Sequence, residues 1–327
     1  MTKGFWGQLK KPIMVLAPMA DVTDAAFREI IAKYGKADVM WTEFVSADGL
    51  ASEKGRKGLL IDFKYSESER PIVAQIFGAT PAHFYEAAKL AKELGFDGVD
   101  INMGCPDKKV LKQGAGASLC KHPKLAQELI YETMRGAQGL PVSVKIRLGY
   151  GTDILDEWLP ALLETNLAAI TIHARTMKEM SDVPAHWNRL KDAVVIRDRI
   201  QTGTEKTLIL GNGDVKNLEQ AHERVKETGC DGVMIGRGIF GNPWLFNREI
   251  GEVSLEEKLA VMVEHTMLFE FYFHDIKSFD VMKKHYKAYV NGFDGAKELR
   301  IQLMECKTAA EVQAIVGLFL KQKEYNQ

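Results

Sequence analysis

The chain has 327 residues, 46% of them hydrophobic and 27% charged, with a formal net charge of −1. That composition is ordinary for a soluble globular protein, and the near-neutral balance provides no global electrostatic pull toward nucleic acid. No apolar run approaches the roughly 20 residues that span a bilayer, and no signal-peptide pattern opens the chain, so no membrane is expected and a cytoplasmic location is the default. The four cysteines, Cys105, Cys120, Cys230 and Cys306, form no CxxC pair. This argues against a metal site or a disulfide framework.

In chain order, hydrophobic runs of strand length fall at 13–17, 38–44, 71–77, 98–102, 141–147, 168–173, 207–210 and 232–235. Amphipathic stretches of helical spacing lie between them at 24–34, 81–94, 123–135, 155–165 and 217–228, and 191–206 completes the sixth crossover. Asp24, Thr80-Pro81 and His122-Pro123 stand where a helix takes a cap or a first-turn proline, and Gly95 and Gly229 where it ends. Eight strands with helical crossovers are what a (β/α)8 barrel requires, although a doubly wound open sheet shows the same alternation. The count of eight favours the barrel. From residue 254 the pattern is helical only, in LEEKLAVMVEHTMLFEFYF, DVMKKHYKAYV, AKELRIQLM and AAEVQAIVGLFLKQ. The expected fold is therefore α/β: a (β/α)8 TIM barrel over 1–250, followed by a small all-helical C-terminal domain over 251–327.

Polar or unusual residues cluster at the C-terminal ends of these strands, the end where barrels carry their active sites. Pro18, Met19 and Ala20 follow the first run, Glu43 the second, and Gln75 lies in the third. The fourth ends in Asn102-Met103-Gly104-Cys105-Pro106, Lys145 and Arg147 sit in the fifth, and His173 and Arg175 end the sixth. Asn212, Gly213 and Asp214 follow the seventh, and Gly236 and Arg237 the eighth. Glycines and an arginine in the last two positions suit a phosphate, which a backbone can approach closely and a guanidinium can grip at two points. Lys145 reads in two ways: as a cation beside the electron-rich edge of a flavin, or as the Schiff-base nucleophile of an aldolase. Gln75 can both donate to and accept from the pyrimidine edge of such a ring. His173 alone reads as a core histidine or a ligand. Cys105, in a Gly-Cys-Pro turn at the mouth, can donate a proton at neutral pH or, with a depressed pKa, act as a nucleophile.

Together APMADVTDAAFR, AQIFG, DGVDINMGCPDKKVLKQGAGASL, VSVKIRLG, ITIHART, LILGNGDV and GVMIGRGIFGNPWLF resemble, in order, the successive motifs of the tRNA-dihydrouridine synthases. The segment MKKHYKAYVNGFDGAKELR resembles the helical tRNA-binding domain of that family. The resemblance implies FMN as cofactor, NADPH as reductant and reduction of the 5,6 double bond of particular uridines in tRNA. It implies that Cys105 protonates carbon 5 while hydride reaches carbon 6. It sets Pro18, Met19 and Ala20 along the isoalloxazine, Gln75 and Lys145 on its polar edge and His173 close by. Asn212, Gly213, Asp214, Gly236 and Arg237 would hold the ribityl chain and phosphate, with Asn102 and Arg175 facing substrate.

With no help from net charge, RNA has to be held by local basic surface. Lys108, Lys109 and Lys112 lie beside Cys105, and Lys283, Lys284, His285, Lys287 and Arg300 would give the helical domain a basic face. One stretch departs from the family pattern: residues 177–187 read MKEMSDVPAHW, where relatives often carry a tyrosine-glycine loop. Two other readings share these residues, a flavin dehydrogenase of free dihydropyrimidines and a non-catalytic tRNA-binding factor. No motif encodes which uridine is modified, no dinucleotide fingerprint is present, and a monomer is the default.

Overall fold

In the computed structural model, which describes residues 3–325, the eight runs become nine parallel strands. They are β1 (Ile13–Leu16), β2 (Met40–Trp41), β3 (Val45–Ser46), β4 (Ile72–Phe77) and β5 (Gly98–Met103), followed by β6 (Val142–Arg147), β7 (Ala169–His173), β8 (Leu208–Asn212) and β9 (Gly232–Ile235). The hydrogen-bonded order runs β1-β9-β8-β7-β6-β5-β4-β2, with β3 also on β4. The ring closes where Val15 bridges Val39: the Leu16 N–H donates to the Val39 carbonyl at 3.3 Å and the Asp38 N–H to the Met14 carbonyl at 2.8 Å. A strand order that returns to its start is a barrel, so the open-sheet alternative falls.

The second run is split because the Gln75 N–H is taken by the Thr42 hydroxyl, at 3.1 Å, in place of a main-chain carbonyl. The chain bulges there and releases Glu43 from the sheet.

Side chains alternate across each strand, and the two faces differ. Outward residues such as Leu16, Ile76, Ile101, Val144, Ile172 and Ile235 pack under the helices. The inward residues of the lower barrel form a separate apolar cluster of Val15, Trp41, Val73, Ala169, Leu208 and Leu210. Trp6, from the short turn Gly4–Gln8, inserts into that cluster from the N-terminal end, 5.9 Å from Trp41 between ring centres. Higher up, the inward positions turn polar: Gln75, Asp100, Asn102, Ser143, Lys145, His173 and Asn212. That change of chemistry along one face places the site.

The helices follow their caps. Asp24 accepts from the Phe27 N–H to open Ala25–Tyr34, and prolines open Pro81–Glu93 and Pro123–Ala137. Asn217 opens Leu218–Thr228, which Gly229 closes at φ 73°. The sixth crossover is the helix Asn188–Ile200, and Ala47–Ala51 and Glu53–Leu59 are short helices absent from the sequence reading.

Beyond β9 the chain is helical, with Leu255–Phe273, Lys283–Tyr289, Ala296–Glu305 and Ala309–Tyr325. These helices share one apolar cluster, including Leu259, Met262, Phe269, Tyr286, Leu299 and Val312, to which Ala25, Ala26 and Ile30 of the barrel contribute. Lys277 adds a polar tie, its Nζ lying 3.0 Å from Glu43 and 2.7 Å from Asp62. Residues 1, 2, 326 and 327, the ends of the two expected segments, lie outside the described residues. Among the described residues, no helix is long and apolar enough to cross a membrane.

Candidate active site

The C-terminal ends of β6 to β9 and the loop after β1 enclose a cavity of about 1110 Å³. Pro18, Met19, Lys145, His173, Arg175, Asn212, Gly213, Asp214, Gly236 and Arg237 line it. Of the other nominated residues, Cys105 stands beside this wall on the loop after β5, and Ala20 is exposed toward the cleft that also holds Glu43 and Lys277. Gln75 and Asn102 lie beneath the surface.

Cations dominate the cavity. Burial and the neighbouring Arg147 bring the Lys145 pKa down to about 8, partly offset by Asp100. Lys145 makes no ion pair among the described residues, so the wall presents a half-buried positive charge suited to an anionic group. His173 is pushed down to about 2, first by burial and then by Lys145, Arg147, Arg175 and Arg237, so its imidazole is neutral. The Arg175 guanidinium approaches His173 Nε2 at 3.3 Å, which makes Nε2 the acceptor and leaves the proton on Nδ1.

Two of the expected site residues hold each other here. Arg175, expected to face substrate, lines the cavity but is itself largely buried, donating to the Val183 carbonyl at 2.6 Å and to Asp214 at 2.5 Å. It organises the cavity floor. The Asp214 carboxylate accepts from Arg175, Arg237 (3.2 Å) and the Ala185 N–H (2.9 Å), so it positions both arginines. Those partners hold its pKa below the ordinary value although burial opposes them. Gly213 has φ 130°, and a Cβ there would lie 2.8 Å from Ala185, so glycine is needed where this strand turns out of the barrel. The atypical 177–187 stretch packs over this side: the Thr176 N–H donates to Glu179, which pairs with His186 at 3.0 Å, and Trp187 Nε1 donates to the Gly213 carbonyl at 2.9 Å.

The Cys105 turn is built differently. Asn102, expected to face substrate, is buried and points its Oδ1 at the turn, accepting from the Cys105 N–H at 2.9 Å and the Gly104 N–H at 3.2 Å. Its Nδ2 donates to Gln75 Oε1 at 3.0 Å. Gln75 is fully buried and donates to Asp100 at 2.6 Å, leaving one N–H and one lone pair of its amide free. Arg147 Nε donates to the Gly104 carbonyl at 2.9 Å, and the Ala117 N–H to the Cys105 carbonyl at 3.1 Å. Gly116, at φ 59°, lies directly below: an added Cβ would sit 2.7 Å from the Cys105 carbonyl oxygen. This supporting role of the GAGAS segment was not visible from its residues alone. Burial pushes the half-buried Cys105 thiol above its ordinary pKa, against a lowering hydrogen bond from the Asp107 backbone, so it stays protonated at neutral pH.

The basic residues divide. Lys108, Lys109 and Lys112 are exposed on the short helix Lys108–Lys112 beside Cys105. The expected basic face of the helical segment is largely consumed internally. Lys283 pairs with Asp280 at 2.8 Å, Lys284 donates to the Asp21 carbonyl at 2.6 Å, and Arg300 to the Val290 carbonyl at 2.9 Å. His285 is buried between Phe27 and His265, its ring 5.1 and 4.7 Å from theirs. Lys287 alone of the five is exposed.

A family model described as Dihydrouridine synthase (Dus) matches residues 15–324. A probable tRNA-dihydrouridine synthase of Staphylococcus aureus strain MRSA252 is 40% identical over 326 residues, covering 99% of this chain and 98% of the relative. Probable tRNA-dihydrouridine synthase 2 of Bacillus subtilis strain 168 is 40% identical over 322 residues, 98% of this chain and 97% of the relative. Among solved structures, morphinone reductase matches with a TM-score of 0.52 at 14% identity over 74% of this chain and 87% of its own. Histamine dehydrogenase from Rhizobium sp. 4-9 matches with a TM-score of 0.55 at 13% identity, over 78% of this chain and 49% of its own. At such low identity these two structures speak for the barrel fold alone.

Proposed function

The chain belongs to the dihydrouridine synthase family, and on that premise we propose that it reduces the 5,6 double bond of particular uridines in tRNA, using bound FMN and NADPH as reductant. The observation that carries the reading is the meeting, on adjacent strands of one mouth, of a protonated thiol after β5 and an unpaired half-buried lysine on β6, in a chain of this family. The fit to a flavin mononucleotide rests on the cavity itself. Lys145 offers an anion-seeking charge, and Gly236 leaves open space, since an added Cβ would meet only Ala17 and Met19 at 3.6 Å. Arg237 is exposed at the rim.

When bound and reduced, the flavin supplies hydride to carbon 6 of the uracil. Lys145 neutralises the negative edge of the ring. Pro18 and Met19 would border it, Ala20 would extend that border toward the cleft, and Gln75 has one amide N–H free for it. His173, being neutral, donates through Nδ1. Asn212, Gly213, Gly236 and Arg237 would hold the ribityl chain and phosphate, with Asp214 and Arg175 fixing the guanidinium and the loop. Cys105 delivers the proton to carbon 5, a role its raised pKa favours. The target base has to leave its stack to reach this mouth, so the enzyme grips RNA around the base and not the base alone.

We assign catalysis to 1–250 and a share of tRNA binding to 251–327, with Lys108, Lys109 and Lys287 as the exposed cations nearest this role and Lys283, Lys284 and Arg300 as its supports. The chain is read as a cytoplasmic monomer. Nucleoside mass spectrometry tests the function: unmodified tRNA, NADPH and wild-type protein are expected to yield dihydrouridine, with Cys105→Ala slowed about 100-fold or more. Flavin bound without dihydrouridine on any tRNA overturns the assignment and favours a free dihydropyrimidine substrate.

A further inference from the structure

The barrel interior holds a polar chain that ends on Cys105 and begins at a residue with no role so far. Gln75, Asp100 and Ser143 stand side by side in the β4–β5–β6 register. Asp100 is buried and accepts at both oxygens, from the Ser143 hydroxyl at 2.5 Å and from Gln75 Nε2 at 2.6 Å. Gln75 Oε1 then accepts from Asn102 Nδ2, and Asn102 Oδ1 accepts from the Cys105 and Gly104 N–H groups.

Each amide, taken alone, can face either way, because its oxygen and nitrogen are nearly the same size. A carboxylate cannot: it only accepts. Asp100 therefore forces Gln75 to present its NH2 group, which turns the Gln75 oxygen toward Asn102. Asn102 must answer with its NH2, and its oxygen is left facing the turn. Reversed, Asn102 would set its NH2 against two backbone N–H donors, leaving buried donors without acceptors.

We propose that Asp100 is a positioning residue that sets the geometry of Cys105, transmitting its acceptor-only character through the Gln75 and Asn102 amides. The inference rests on the reading of Cys105 as the proton donor. It adds the reason the thiol stands at a defined place over the mouth: the turn that carries it is keyed to a carboxylate two strand positions below Asn102.

The test uses purified flavin-loaded enzyme and iodoacetamide as the probe of Cys105, with alkylation mapped by peptide mass spectrometry. Asp100→Leu keeps a similar volume but removes both acceptor oxygens, so Gln75 loses the partner that orients its amide and the relay loses its sense. It is expected to change the Cys105 alkylation rate about 10-fold and to slow tRNA-dependent oxidation of the reduced enzyme about 10- to 100-fold. Reduction by NADPH and the KM for tRNA are expected to stay within about twofold. The double variant Asp100→Asn, Gln75→Glu moves the acceptor-only group one link along. The introduced amide donates to the introduced carboxylate, and that carboxylate accepts from Asn102. At flavin occupancy matched by absorbance, its alkylation rate is expected to return toward the wild-type value, and this variant also serves if the single one does not fold. A wild-type alkylation rate in Asp100→Leu, or a folded double variant whose rate is not restored, overturns the proposal. If Cys105→Ala retains full tRNA-dependent oxidation, it is the proton-donor reading that falls, while the alkylation data still judge the relay.

Discussion

Lys108, Lys109 and Lys112 stand exposed on one short helix beside Cys105, whereas most of the cations on the 283–300 stretch are spent inside the molecule, on Asp280, the Asp21 carbonyl and the Val290 carbonyl. Both regions are comparably basic as strings of residues. A lysine that is already donating to its own protein has little left for a phosphate, since each new contact must first break an old one. The first region keeps its charge exposed, and the second spends most of its charge holding itself and the barrel together. RNA affinity should therefore depend on the catalytic rim more than on the helical segment.

The comparison can be broken or sharpened in several ways. The largest effect is expected from Gly116→Val, which forces a side chain against the Cys105 carbonyl at a positive φ. Dihydrouridine formation should fall about 100-fold while tRNA affinity measured by filter binding holds. Equal loss of both would mean that the loop as a whole has collapsed. Next comes the triple substitution Lys108→Ala, Lys109→Ala, Lys112→Ala. It is expected to weaken tRNA binding about 10-fold and to reduce the magnitude of the salt slope by about 2. An unchanged slope would remove these lysines from the interface.

Lys145 represents a third state, neither exposed nor paired. Burial and Arg147 lower its pKa from the ordinary 10.5 to about 8. The folded protein thus releases this proton more readily than the unfolded chain, so holding the charge costs stability below pH 8, and the cost fades between pH 8 and 10.5. Flavin-free Lys145→Met is accordingly expected to melt above wild type at about pH 7, with the difference narrowing toward about pH 10, while binding flavin more weakly. A lower melting temperature at neutral pH would show that the charge has a partner. The smallest effects belong to Lys283→Ala and Arg300→Ala, for which tRNA affinity should stay within about twofold. A loss as large as that of the loop triple would erase the contrast between the two regions.

Much of this was legible in the residues. Eight hydrophobic runs and capped amphipathic stretches were enough for the barrel, because period and capping are local properties. The closure through Val15 and Val39 was not, since it depends on which strands become neighbours. The same limit explains the site. Cys105, Lys145 and His173 announce themselves by residue type at strand ends. Asp100 and Ser143 sit at the inward positions of GVDINM and VSVKIR, and alternation alone could have placed them on the polar face. Their joining to Gln75 and Asn102, though, is a property of register between strands. The internal partners of Arg175, Asn102 and His285 were hidden for a related reason: charge and polarity are visible in a sequence, but whether a distant segment packs against them is not.

Lys277 carries a consequence for substrate choice. Gripped by Glu43 and Asp62, it sutures the connection between the helices Leu255–Phe273 and Lys283–Tyr289 to the bulged strand at the barrel mouth. If the helices hold RNA as proposed, the span from that hold to the Cys105 thiol is fixed, and the molecule works as a caliper. The nucleotide it modifies is then chosen by its distance along the folded RNA, with no need to read the bases on either side.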